Sequence, residues 1–257
     1  MSWVKWKLMV TTLPIVGVIV AVKVGLEQVV GWPGIVDFSE VGIVLTAGVF
    51  LTGFMLAGVM ADYKESEKLP GDLASTLETL EDIVVQACAH KQTLQPLPLR
   101  RAVADLAVDI RAWLFKSKTQ EQAYEALTRF GEVLQQLERD GGGAYASRAI
   151  GELHNLRKTI TRIGVISRTG FLPPAYALLE TLNVLIVVLL VASKFKSVLA
   201  EFILVPFVTL IYVYMLRLIK DIDDPFEYSP DGKKQGGAEV ELFPLEEFRQ
   251  RIGSRLK

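Results

Sequence analysis

Cysteine and histidine are nearly absent from this sequence: one cysteine, Cys88, and two histidines, His90 and His154. A lone thiol excludes an intramolecular disulfide and a thiolate metal cluster. The histidines stand in no HExxH-type spacing, so each reads as a polar residue on a helix surface. An excess of one charge is also missing. Lys and Arg number 28 against 29 Asp and Glu, a net charge of −1, so no global field argues for a nucleic-acid partner. There is no P-loop. The glycine run "DGGG" at Asp140–Gly143 has neither the G-x-G-x-x-G context nor a preceding strand, so it reads as a loop and not as a nucleotide cradle. With no nucleophile–base pair to place, no enzymatic activity and no cofactor are expected.

What is present is segregation. Apolar residues make up 51% of the chain and mean hydropathy is +0.34, yet 22% of residues are charged. Those values coexist because the apolar residues fall in four blocks. The first runs from Leu8 to Val30, with Pro14 inside it and its uncharged part ending at Lys23. The second, Val41 to Ala61, carries no charge and is long enough to cross a ~30 Å hydrocarbon core. The third, Phe171 to Ser193, contains one acid, Glu180; the fourth, Phe202 to Leu216, is flanked by Glu201 and Arg217. Near the block ends, Lys23 and Arg217 are expected to snorkel to the headgroups. The first block lacks an early small-residue cleavage site and runs directly toward a second span, so a retained helix is expected in place of a signal peptide.

The fold class that follows is all-α: a polytopic membrane protein with four transmembrane helices in two hairpins and a helical cytoplasmic block. Expected boundaries are 1–62 for the first hairpin, 63–170 for the cytoplasmic helices, 171–220 for the second hairpin and 221–257 for a cytoplasmic tail. Lys5, Lys7, Lys64, Lys68, Arg157, Lys158, Arg162, Arg168, Arg217 and Lys220 flank one side, against Lys23, Lys194 and Lys196 on the other. That bias places both termini in the cytoplasm, with the inner (plasma) membrane as the location. Within the middle block, Leu73, Leu77, Leu80, Ile83 and Val84 share one helical face, and Val103, Leu106, Ile110 and Leu114 another. Helical patterns also cover "EQAYEALTRFGEVLQQLE" and "YASRAIGELHNLRKTITRIGVI". In the tail, "SPDGKKQGG" reads as flexible and "LFPLEEFRQRI" as a last short helix.

In the second block, Thr46, Phe50 and Phe54 recur at i, i+4 and i+8, and Ala57, Gly58 and Ala61 extend the stripe with small residues. From spacing alone, lipid contact or helix packing accounts for them. The segment "FLTGF", Phe50 to Phe54, nevertheless resembles the neck helix of the bestrophin family of pentameric anion channels. The resemblance continues in order along the chain. "DYKESEKLPGDL" occupies the polar turn after the second span, "LPPAY" the entry to the third, and "PFVTLIYVY" the P-F pattern of the fourth. "DIDDPFEY" followed by "ELFPLEEF" is similar to the acidic D-P-F-G and L-P-L segments of bacterial members. One departure is Glu227 where the family's glycine follows D-P-F; another is Asp62 and Tyr63 at its charged and tryptophan positions.

That resemblance implies a homo-oligomer, a pentamer, conducting chloride or other small anions past a lining of Thr46, Phe50, Gly53, Phe54 and Ala57. Thr46 would offer a hydroxyl donor at the outer end, and Gly53 and Ala57 would admit close helix approach. Asp221, Asp223 and Asp224 sit at the end of the fourth helix, where Pro225 stops it. The helix dipole disfavours acids there, so a cation or basic groups from the cytoplasmic helices should compensate. In calcium-activated members, acids of this region bind calcium, and Asp221, Asp223, Asp224, Glu227 and Asp231 have the oxygen ligands; salt bridging or solvation is the preferred account. Glu180 and Glu201 are expected to have structural partners. A small proton-coupled transporter using Glu180, and a non-conducting membrane scaffold, are the alternative functions.

Overall fold

Long uncharged runs must satisfy their own backbone amides once water is absent, and helices do so within one segment. The computed structural model describes residues 2–91, 93–232 and 236–257, with side chains from Trp6 onward. Four helices are long and apolar enough to cross a membrane: α1 (Ser2–Gln28), α2 (Phe38–Ser66), α7 (Pro173–Ala192) and α8 (Val198–Asp223). Between and after them lie α3 (Leu69–His90), α4 (Pro96–Leu114), α5 (Gln120–Leu137), α6 (Gly143–Ile166) and α9 (Phe243–Arg255). The protein is a helical, polytopic membrane protein. Pro14 and Pro206 both lie inside their helices, which apolar surroundings tolerate when neighbouring groups re-satisfy the freed carbonyl.

The chain separates into two compact units. One comprises Met1–Tyr63, Gly170–Asp224 and Gly236–Ala238; the other Lys64–Thr169, Pro225–Gln235 and Glu239–Lys257.

In the first unit α1 packs along α8, and α7 packs against both. α8 extends beyond its apolar run, and polar residues near its C-terminus have partners. Arg217 donates to Thr12 Oγ1 at 3.1 Å, and Lys220 pairs with Glu180 of α7. Lys23 does not snorkel as expected. It is 2% exposed, lies 2.7 Å from Glu27 Oε1, donates to the Ser193 carbonyl at 2.6 Å and stands 3.5 Å from Glu201 Oε1. Two carboxylates and a carbonyl hold the ammonium more favourably than the interface would, so it stays inside.

Sequence patterning gave no hint of strands, yet two short ones pair in parallel: β1 (Val36–Asp37) and β2 (Ser193–Lys194), with Val36 opposite Ser193. They tie the loop after α1 to the loop after α7. Gly34 makes the approach feasible: its φ is +92°, and a Cβ there would meet the Ala192 carbonyl oxygen at 2.7 Å.

In the second unit α3 is central, touching α4, α6 and α9, while α5 bridges α4 and α6. The faces expected from periodicity are buried: Leu73, Leu77, Leu80 and Val84 on α3, and Val103, Leu106 and Ile110 on α4. The buried Glu81 carboxylate receives Arg100 at 3.0 Å and Arg255 at 2.6 Å, joining α3, α4 and α9. "DGGG" is not an open loop. Glu138–Gly142 forms a π-type turn that runs on into α6, kinked at Gly141 (φ +86°). α9 forms at the expected tail helix. Of the stretch expected to be flexible, residues 233–235 lie outside the described residues.

Lys23→Met leaves Glu27 and Glu201 together without their cation. It should lower stability by about 3–5 kcal/mol in thermal denaturation of the solubilised protein, and adding Glu201→Gln should restore part of the loss.

Candidate functional site

The rotation of α2 about its axis is set by the residues that pack inward. Val41, Gly48, Thr52, Met55 and Val59 form one buried line, at spacings that return to the same side of a helix every three to four residues. Met55 and Val59 join Leu179 of α7 and Ile219 and Ile222 of α8 in one cluster. Higher on the helix, Val44 and Leu45 pack on Ile186, Leu190 and Tyr212, and the Tyr212 hydroxyl donates to the Leu45 carbonyl. Two glycines permit this contact. A Cβ on Gly48 would lie 2.7 Å from Ile186 Cδ1 and 2.9 Å from the Tyr212 ring; one on Gly58 would lie 2.9 Å from the Phe171 ring.

The opposite side of α2 is left uncovered within this chain. It carries Ile43, Thr46, Phe50, Gly53, Phe54 and Ala57. Phe50 is 76% exposed and Phe54 66%, and nothing lies within 4 Å of a Cβ built on Gly53. The lining residues expected from the resemblance, Thr46, Phe50, Gly53, Phe54 and Ala57, therefore fall on one face, two phenyl rings one turn apart among small residues. Gly58 does not share that face. It belongs to the packed side, under Phe171. The donor role expected of Thr46 is also altered, because its hydroxyl donates to the Gly42 carbonyl at 2.9 Å. That leaves the oxygen's lone pairs, and not the proton, facing outward. The close-approach glycines of α2 are Gly48, which spacing arguments centred on the phenylalanines missed, and Gly58, which they assigned to the wrong face. The signal was available: Gly48, Thr52, Met55 and Val59 follow i, i+4, i+7, i+11.

The acidic end of α8 is held by backbone amides. The helix stops at Asp223, and Asp224 leaves helical geometry ahead of Pro225. Both carboxylate oxygens of Asp223 accept from the Phe171 amide, at 2.9 and 3.0 Å. Those of Asp221 accept from the Gly237 amide at 3.2 and 3.1 Å. For these two acids, backbone amides therefore supply part of the compensation expected at the helix end. Among the described residues no group of three or more His, Cys, Asp or Glu is placed to hold a metal ion. Next to the acidic end of α2, the Arg162 guanidinium donates to both oxygens of Glu65, one at 2.7 Å, and holds that carboxyl below its ordinary pKa.

These observations define a helical membrane protein that presents one apolar, aromatic helix face outside its own bundle. Its fold is the bestrophin-like fold. A crystal structure of a bacterial bestrophin homologue from Klebsiella pneumoniae is similar to it with a TM-score of 0.76, at 12% identity over 96% of this chain and 98% of that one. A single-mutation variant of a bestrophin homologue from the same bacterium gives a TM-score of 0.72 at 14% identity, over 96% of each chain. A second such variant gives 0.71 at 12%, over 98% of each. No protein-family profile matches the sequence. No curated protein matches it either.

Asp223→Ala should lower stability by about 1–3 kcal/mol by orphaning the Phe171 amide, whereas Asp223→Asn keeps one acceptor oxygen and costs less. Removing calcium with a chelator should leave the melting temperature of the wild-type protein unchanged.

Proposed function

We propose that this chain is one subunit of a homo-oligomeric anion channel, a pentamer, in which α2 from each copy lines a central conduit. One observation carries the reading: the stripe Thr46–Phe50–Gly53–Phe54–Ala57 is left uncovered while the other side of α2 takes up the packing within the chain. A single helix cannot enclose a pore, so symmetric copies must supply the rest. Rings of Phe50 and Phe54 then form an apolar neck that gates by dewetting. Phenyl edges are electropositive, so rings turned edge-on favour chloride and other small anions over cations. With no Lys or Arg in Val41–Ala61, the field in the neck is weak, and discrimination among anions is correspondingly poor. Gly53 and Ala57 leave room for the helices of adjacent copies. The lysine and arginine bias supports an inner-membrane protein with both termini in the cytoplasm.

The transporter alternative has less support, because Glu180 is engaged by Lys220 and is not a free carrier. Calcium control through Asp221, Asp223 and Asp224 is not part of the proposal, since amides already occupy two of those carboxylates.

Purified protein in planar bilayers under a potassium chloride gradient should give currents reversing toward the chloride potential. Phe50→Ala and Phe54→Ala should raise unitary conductance by widening the neck. Absence of current under all conditions, or a monomer by native mass spectrometry in lipid, overturns the proposal.

A further inference from the structure

The turn from α4 into α5 builds a second site. Lys116, Lys118 and Arg168 line a cavity of about 320 Å³, within the range of small-molecule pockets. No Asp or Glu is among its lining residues, in a chain where acids slightly outnumber bases. The local charge is only partly neutralised nearby. Lys118 shares the Asp109 carboxylate with Arg129, so one anion serves two cations. Among the described residues, the Arg168 guanidinium meets only the neutral amide of Gln120. The Lys116 side chain makes no hydrogen bond or ion pair among the described residues.

Lys116 also occupies a costly position. Its φ is +57°, the one positive value at a non-glycine residue among the described residues. Its amide donates to the Trp113 carbonyl at 2.9 Å, and that of Ser117 to the Ala112 carbonyl at 2.8 Å. This pair of bonds is the Schellman closure of a helix, whose left-handed residue is ordinarily glycine. A lysine there carries strain, and strain of this kind gathers at binding sites. The site has a second built feature. Gly164 of α6 leaves room for the Gln120 amide, which would lie 2.5 Å from a Cβ; Gln120 in turn receives Arg168. The start of α5, an 18-residue helix, forms part of the rim and contributes positive potential. The inner wall is apolar, made by Trp113, Ile163 and Phe226.

We infer that this cavity binds a phosphomonoester of a small organic molecule. Lys116, Lys118 and Arg168 hold the phosphate dianion, Thr119 supplies a hydroxyl donor at the rim, and the organic body rests on the Trp113, Ile163 and Phe226 wall. The volume exceeds what a bare phosphate fills, and the apolar wall gives a bare ion nothing to contact. A lipid headgroup bears the same phosphate, so the test must separate the two sources. The inference concerns binding and stands apart from conduction.

The probe is phenyl phosphate, titrated calorimetrically into the full chain held in phosphatidylcholine nanodiscs. Saturable binding of one molecule per chain is expected, weakening as salt rises. Arg168→Gln should weaken it about ten- to a hundredfold. Lys116→Gly should weaken it by a similar factor while raising the melting temperature, because glycine relieves the strained φ. That opposed pair of changes is one a purely structural lysine would not produce. No saturable heat with phenyl phosphate, or unchanged affinity in both variants, overturns the inference. So does loss of phenyl phosphate binding when the discs contain phosphatidylglycerol, which would assign the cavity to a lipid headgroup.

Discussion

The packing of one side of α2 against α7 and α8 determines what its other side presents. Gly48 and Gly58 admit the Tyr212 and Phe171 rings, and Met55 and Val59 complete the contact. A helix has only one rotation that buries this line. Once it is buried, Phe50 and Phe54 must project away from the chain's own bundle. A residue with a Cβ at Gly48 would push Tyr212 off the helix and free that rotation. The uncovered face is thus a consequence of small residues on the face opposite to it.

Charge is handled with the same economy inside the membrane unit. Lys23 is buried between two acids and a carbonyl, Glu180 has Lys220, and Asp223 has the Phe171 amide. Each partner comes from a different helix or loop, or from one turn away. In apolar surroundings an unpaired charge costs far more than it does in water, so these pairs also select the register of the helices that supply them. The second unit uses Glu81 with Arg100 and Arg255 in this way, closing α9 over α3 and α4. The cavity beside Lys116 is the exception: cations gather there without enough acid to neutralise them.

Much of the fold was legible because it depends on local pattern. Four long apolar runs could only be helices in a membrane, and the buried faces of α3 and α4 follow from their 3.6-residue periodicity. Helix ends were less legible. The apolar run of the fourth span is shorter than α8, near whose C-terminus Arg217 and Lys220 find partners on other helices. The strand pair β1–β2 left no trace in the pattern, since two residues are too few for alternation to register. The stripe of Thr46, Phe50, Phe54 and Ala57 was visible as a spacing, but spacing does not tell an uncovered face from a packed one. It also grouped Gly58 with that stripe, although the Phe171 ring covers it.

By itself the sequence determined the class of the protein, its membrane-spanning helices and which residues share each helical face, because those properties depend on neighbours within a few positions. Only the tertiary structure decided which face of α2 is covered, that Lys23 stays inside, that amides hold Asp221 and Asp223, and that Lys116 stands over an acid-free cavity. Each of those facts depends on groups from distant parts of the chain meeting at a few ångströms, and no local pattern encodes such a meeting.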